Sequence, residues 1–198
     1  MLERSALLVI DVQNVYCTPD SKLYIDNHRE IVTQINRLIE IYEKRHQPVI
    51  YIRHALPADG DTGRMFDFTG TPRVSAFIEG SSAVDYPPHL KLLPNRLEIT
   101  KHRYSSFVGT GLQTMLTALQ IDSVTITGFM TNICCESTAR HAHDLDYYVY
   151  FVNDAVSCPD FPATPRELVH HATLHALSLG FAVVQTTQEI LATVKEVS

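Results

Sequence analysis

Short apolar runs alternate with helical segments along most of this chain, and that alternation limits the folds open to it. The runs are ALLVID (residues 6–11), PVIYIRH (48–54), RLEITKHR (96–103), SVTITGF (123–129), YYVYFVNDA (147–155) and FAVVQT (181–186). After the first run, Ile31, Ile35, Leu38, Ile39 and Tyr42 recur at helical spacing. Further helices fit residues 111–119, 132–145, 165–179 and 187–197. Near-continuous apolar strands are those buried on both faces, and strands that alternate with helices build parallel sheets. The pattern therefore predicts an α/β fold: a three-layer, Rossmann-like α/β/α arrangement with a mainly parallel six-stranded sheet and helices on both faces. At 198 residues the chain suits a single domain over residues 1–198. Residues 55–95 break the pattern. They are rich in Gly, Pro, Asp and Ser, and a long irregular stretch inside a domain is usually functional or interfacial.

The charge balance narrows the partners. A net charge of -6 with no Lys/Arg run argues against nucleic acid, since phosphate binding needs clustered cations. No apolar run is long enough to span a membrane. The opening MLERSALLVIDVQN lacks the form of a signal peptide, because its short apolar stretch ends in a carboxylate. Four cysteines without such a signal predict free thiols in a reducing, cytoplasmic setting. There is no C-x-x-C, no H-E-x-x-H and no Gly-rich phosphate loop, so neither a metal nor an organic cofactor is expected. A small molecule is the expected partner.

Ligands of parallel α/β sheets bind beyond the carboxyl ends of the strands. The polar residues at those ends are Asp11, His54, Lys101 and the turn over residues 128–134, so a carboxylate, an ammonium and a thiol converge on one rim. Two adjacent cysteines lie there. On a helix starting near Asn132, Cys135 shares a face with Ala139 and Ala142, small residues suited to packing on a sheet. Cys134 lies about 100° away around the helix and faces the strand-end crevice. A thiol in a first helical turn is expected to have a lowered pKa. Read from spacing alone, two inert core cysteines remain the alternative.

Three blocks, LLVIDVQN, ITKHRYSSFVGTGL and ITGFMTNICCESTARHA with the following YYVYFVNDAV, resemble the signature regions of the isochorismatase-like cysteine hydrolases in order and spacing. The resemblance spans nearly the whole chain. It implies an Asp–Lys–Cys triad at Asp11, Lys101 and Cys134. It also implies a cis peptide between Phe129 and Met130, with the N–H groups of Met130 and Cys134 forming an oxyanion hole. The implied chemistry is hydrolysis of a C–N bond in a small amide, ureide or carbamoyl compound through a thioester. Isochorismatase activity, which releases pyruvate from a vinyl ether, is a rival, although that branch typically lacks the cysteine. A catalytically idle scaffold is another. Nicotinamidases carry an Asp-x-His metal pattern that YIRHALPADGD does not reproduce. The family also implies a homodimer or homotetramer.

Other residues are candidates for binding substrate. Gln13 could orient Asp11 or cap the turn after it. Tyr16, Phe66, Phe68 and Phe107 could wall a pocket, and His54 ends a strand on the same rim. Cys17 and Cys158 read as packing residues. His141, His143, His170 and His171 lack the i, i+4 spacing of helical zinc ligands and read as surface or interface residues.

Overall fold

Strand β1 (Ser5–Ile10) is buried at every position, as its apolar run predicts. Successive side chains alternate between two cores: Leu7 and Val9 join one, Ala6, Leu8 and Ile10 the other. The computed structural model, which describes residues 4–58, 63–65 and 75–195, adds β2 (Val49–His54), β3 (Leu97–Lys101), β4 (Ser123–Phe129), β5 (Tyr148–Ser157) and β6 (Val183–Gln185). The strand order is β3-β2-β1-β4-β5-β6, with every neighbouring pair parallel.

The helices are α1 (Asn14–Cys17), α2 (His28–Lys44), α3 (Leu112–Ala118), α4 (Glu136–Asp144), α5 (Arg166–Ser178) and α6 (Thr187–Lys195). Helix α2 buries the face its spacing marks out: Ile31, Ile35, Leu38, Ile39 and Tyr42 pack in the first core, which also takes Ile190 of α6. Leu112 and Leu116 of α3, Ala139 and Ala142 of α4 and Leu177 of α5 pack in the second. Helices thus cover both faces of the sheet, giving three layers. Each fully buried large aliphatic side chain contributes about 1.5–3 kcal/mol. The Tyr42 hydroxyl is satisfied in that interior by Ser5 Oγ at 2.9 Å and Thr125 Oγ1 at 2.7 Å.

Several details depart from the sequence expectation. The helix expected over residues 132–145 opens with a wide π-type turn, Thr131–Cys135, before α4 proper begins. Strand β6 keeps only three residues of its apolar run. The N–H groups of Phe181 and Ala182 close the end of α5 by donating to the Leu177 carbonyl at 2.9 and 3.0 Å, instead of extending the strand. Helix α1 and two short 3-10 turns, Ser75–Phe77 and Ser82–Val84, have no periodic signal in the sequence. Part of the irregular segment, with the candidate walls Phe66 and Phe68, lies outside the described residues.

This strand order positions the site. From β1 the chain steps outward to β2 and β3, then returns to β4 on the other side of β1. The switch opens a crevice between the carboxyl ends of β1 and β4. Because the strands are parallel, the ends of β2 and β3 lie on the same rim.

Candidate active site

Asp11 is the first residue past β1. Its backbone takes the left-handed conformation, φ 52°, which Asp tolerates better than most residues. Its N–H still donates to the Ile52 carbonyl at 2.8 Å, so the turn begins without loss of a backbone bond. Opposite Ile10, β4 carries Gly128 at φ 116°. A Cβ there would stand 1.9 Å from the Ile10 carbonyl oxygen, so only glycine lets β4 approach β1 this closely. The following peptide, Phe129–Met130, is cis. The Met130 carbonyl then accepts the N–H groups of Ile133 and Cys135, both at 3.2 Å, which fixes the turn carrying Cys134.

Lys101 ends β3 and is fully buried. An ammonium has three donors, and each has an acceptor. Asp11 Oδ2 lies at 2.7 Å, Cys134 Sγ at 3.2 Å and the Arg103 carbonyl at 3.1 Å. Asp11, Lys101 and Cys134 thus form one buried cluster at the switch point. Cys135 points the other way: it is fully buried, with its sulfur 3.9 Å from the Thr127 carbonyl.

Burial dominates the electrostatics. It raises the Asp11 pKa, against the opposing charge of Lys101, and leaves it above the usual carboxylate value. For Lys101 burial acts downward, but Asp11 and Cys134 outweigh it and the pKa is raised, so the ammonium stays charged. The Cys134 thiol is pushed up by burial and by the Asp11 carboxylate, which Lys101 only partly offsets. This corrects the expectation of a lowered thiol pKa. A helix terminus cannot offset complete desolvation beside a carboxylate, so the resting thiol keeps its proton.

A cavity of about 220 Å³ opens onto Cys134. Tyr16, Leu23, Phe77, Met130 and Ile133 give it apolar walls, and Phe161 stands at its edge. His54, Tyr104 and Asn132 supply polar groups. The Nδ1 of His54 and the Oδ1 of Asn132 are buried without a hydrogen-bond partner in the protein. Burial, with the positive charges of Lys101, His102 and Arg103, lowers the His54 pKa to about 3, so its ring is neutral. Tyr16 packs on Phe77 and Phe129, with ring centroids 5.9 and 5.5 Å away.

Two candidates are not brought to the cavity. Gln13 is fully buried and spends its amide on backbone. It donates to the His54 and Val84 carbonyls at 2.9 and 3.0 Å and accepts the His54 N–H at 2.9 Å. Gln13 therefore fixes the end of β2; its amide bonds to His54 and Val84, and it is not among the residues lining the cavity. Phe107 is not among the residues lining the cavity. Its ring packs on His141 and Tyr147 at 5.2 and 6.0 Å, in the core beneath α3 and α4. Tyr104, Asn132 and Ile133 were missed, although they sit inside the blocks that carry Lys101 and Cys134. Leu23, Phe77 and Phe161 come from irregular segments that give no local signal.

Comparison with known proteins adds a separate line of observation. The family model described as the isochorismatase domain matches residues 5–189. Nicotinamidase 3 of Arabidopsis thaliana is 30% identical over 178 residues, covering 90% of this chain and 82% of that protein. The ureidoacrylate amidohydrolase RutB of Caulobacter segnis is 26% identical over 208 residues, covering 96% of this chain and 85% of its own. The crystal structure of a cysteine hydrolase from Pseudomonas syringae pv. phaseolicola 1448A superposes with a TM-score of 0.87 at 29% identity, covering 98% of this chain and 94% of that one.

Proposed function

The chain belongs to the isochorismatase family of hydrolases, and from that premise we propose that it is an amidohydrolase. It cleaves a C–N bond of a small amide, ureide or carbamoyl compound, with Cys134 as nucleophile, Asp11 as general base and acid, and Lys101 as the cation holding them together. One observation carries the reading: the fully buried Lys101 ammonium lies 2.7 Å from the Asp11 carboxylate and 3.2 Å from the Cys134 sulfur. The relatives named as nicotinamidase and ureidoacrylate amidohydrolase, which both act on C–N bonds, support the reaction class.

The raised thiol pKa shapes the mechanism. With little thiolate at rest, the proton leaves Sγ for Asp11 as sulfur attacks the carbonyl carbon. The oxyanion that forms is taken up by the N–H groups of Met130 and Cys134; one such donor is typically worth about 10²–10³ in rate. The tetrahedral adduct collapses, the C–N bond breaks, and Asp11 returns the proton to the departing nitrogen. Water then attacks the thioester, giving one proton to Asp11. The acid leaves, and that proton returns to Cys134 Sγ. Lys101 stays charged throughout and limits the cost of negative charge on either partner.

The cavity is smaller than the ~300–1,000 Å³ of drug-sized sites, which suits a compact substrate. His54, Tyr104 and Asn132 give that substrate polar groups among apolar walls, and the buried His54 Nδ1 and Asn132 Oδ1 have no partner in the protein to compete for them. The test is a panel of small amides and ureides together with isochorismate, assayed for ammonia and for pyruvate. Ammonia release from at least one amide or ureide, with a thioester adduct on Cys134 detected by mass spectrometry, is the expected result. Pyruvate from isochorismate with no activity on any amide would overturn it.

A further inference from the structure

We propose that Cys17, His28 and His89, none of which lines the cavity at Cys134, form a binding site for a thiophilic divalent cation of the zinc class. The three residues end α1, begin α2 and sit in the loop before β3. Each offers a ligand atom, and the three atoms all lie within 4.8 Å of one another. His28 Nδ1 and His89 Nε2 face each other at 3.1 Å. A tetrahedral zinc ion, with bonds of about 2.0–2.3 Å, holds its nitrogen and sulfur ligands roughly 3.3–3.6 Å apart. The histidine pair already stands within a few tenths of an ångström of that spacing.

The backbone around the cluster is fixed. Asn36 on α2 donates from Nδ2 to the His89 carbonyl at 2.9 Å and accepts the Lys91 N–H on Oδ1 at 2.8 Å, so the loop is pinned to the helix that carries His28. The His28 N–H donates to Ile25 O at 3.1 Å, and the Ile25 N–H to Tyr16 O at 2.9 Å, which ties the start of α2 to α1. Support of this kind orients metal ligands.

The ligand set selects the ion. Two imidazoles and a thiolate suit zinc-like ions, whereas magnesium and calcium require oxygen donors. A cation that takes Cys17 as a thiolate displaces the thiol proton to solvent on binding. In the free protein one of the facing imidazole nitrogens donates to the other; the cation takes that place, and the proton moves to the far nitrogen of its own ring. With three protein ligands, a fourth position is open to water or a small anion. Nothing in the sequence marks the site, because Cys17 and His28 are 11 positions apart and His28 and His89 are 61 positions apart.

The test uses the full-length, chelator-treated protein titrated with Zn²⁺ against a chromophoric competitor, and with Co²⁺ followed by absorbance. One equivalent should bind tightly, and Co²⁺ should develop a thiolate charge-transfer band. Cys17→Ser and His89→Gln alter partly exposed residues, so the fold should persist. Each should weaken Zn²⁺ binding by more than about 100-fold, beyond the 10–100-fold typical of outer-shell partners. Cys17→Ser should also lose the band. Cys134→Ala should bind both ions as the wild type does. No tight equivalent, binding unchanged in Cys17→Ser and His89→Gln, or binding lost in Cys134→Ala would each overturn the assignment.

Discussion

Replacing Lys101 with Met keeps most of the stem and removes the charge. Asp11 is fully buried, and its counter-charge is the ammonium 2.7 Å away. Removing one partner of a buried ion pair costs about 3–5 kcal/mol when the other must stay charged. Asp11 has an escape, which is to take up a proton. Its pKa already stands above the ordinary value because burial outweighs Lys101, and without the ammonium it must climb further. The folded variant then holds a proton that the unfolded chain releases near pH ~4. Stability therefore falls as pH rises from the unfolded pKa to the folded one, by about 1.4 kcal/mol per unit of the difference. Lys101→Met should unfold in urea much like the wild type at about pH 4, and should be weaker by about 3–5 kcal/mol at about pH 8. Its turnover should fall about 10²–10⁴-fold, because a protonated Asp11 cannot accept the thiol proton. A stability gap of equal size at both pH values, or near-normal turnover, would refute the reasoning.

Cys134→Ala should abolish turnover, while Cys135→Ala should retain it and lose about 0.5–3 kcal/mol of stability, measured by denaturation; the reverse pattern would misassign the nucleophile. Gly128→Ala should yield insoluble or unfolded protein, since its Cβ would meet the Ile10 carbonyl oxygen at 1.9 Å; a folded, active variant would show that the close approach is dispensable. Exhaustive chelation should leave turnover intact, because the triad supplies its own nucleophile, while any thermal stabilisation by added Zn²⁺ disappears; activity restored only by metal would return catalysis to a metal centre. Leu168, Leu179 and Val183 are 63%, 74% and 53% exposed around α5 and β6, so sedimentation should find a dimer or tetramer, and a monomer alone would count against self-association.

The sheet was legible because most strands are apolar runs, and the two faces of α2 are marked by Ile31, Ile35, Leu38 and Ile39 against the polar residues between them. The ends of β1 and β3 named Asp11 and Lys101 for the same reason: an ionisable residue that closes a buried run must either leave the core or be paired in it. The walls of the cavity were harder to read. Phe107 and Tyr16 are both buried aromatics near the site in sequence, but only Tyr16 lines the cavity. The difference lies in which face of the sheet the following segment packs against, and no local spacing records that. Gln13 shows the same limit. Its polarity and position suggested a partner for Asp11, yet the carbonyls of His54 and Val84, brought beside it by β2 and the irregular segment, claimed its amide first.

The thiol illustrates how tertiary burial reverses a local rule. From its place in the chain, Cys134 belongs to the opening turn of a helix, where unpaired N–H groups favour an anion by roughly 0.3–1 kcal/mol at exposed sites. Desolvation of a buried charge acts in the opposite direction and is larger, up to several pKa units. A carboxylate in the same cluster adds to it. On the reading proposed above, the nucleophile is held as a thiol beside a base, and Lys101 bridges the two. A free thiolate would react with any electrophile that entered the cavity. A thiol that ionises only as it attacks reacts when the substrate carbonyl is held against Sγ and an oxyanion can be stabilised. Under that arrangement selectivity depends on the groups that hold the carbonyl in place, which directs attention to His54 and Asn132, which line the cavity and each keep a buried polar atom unpaired.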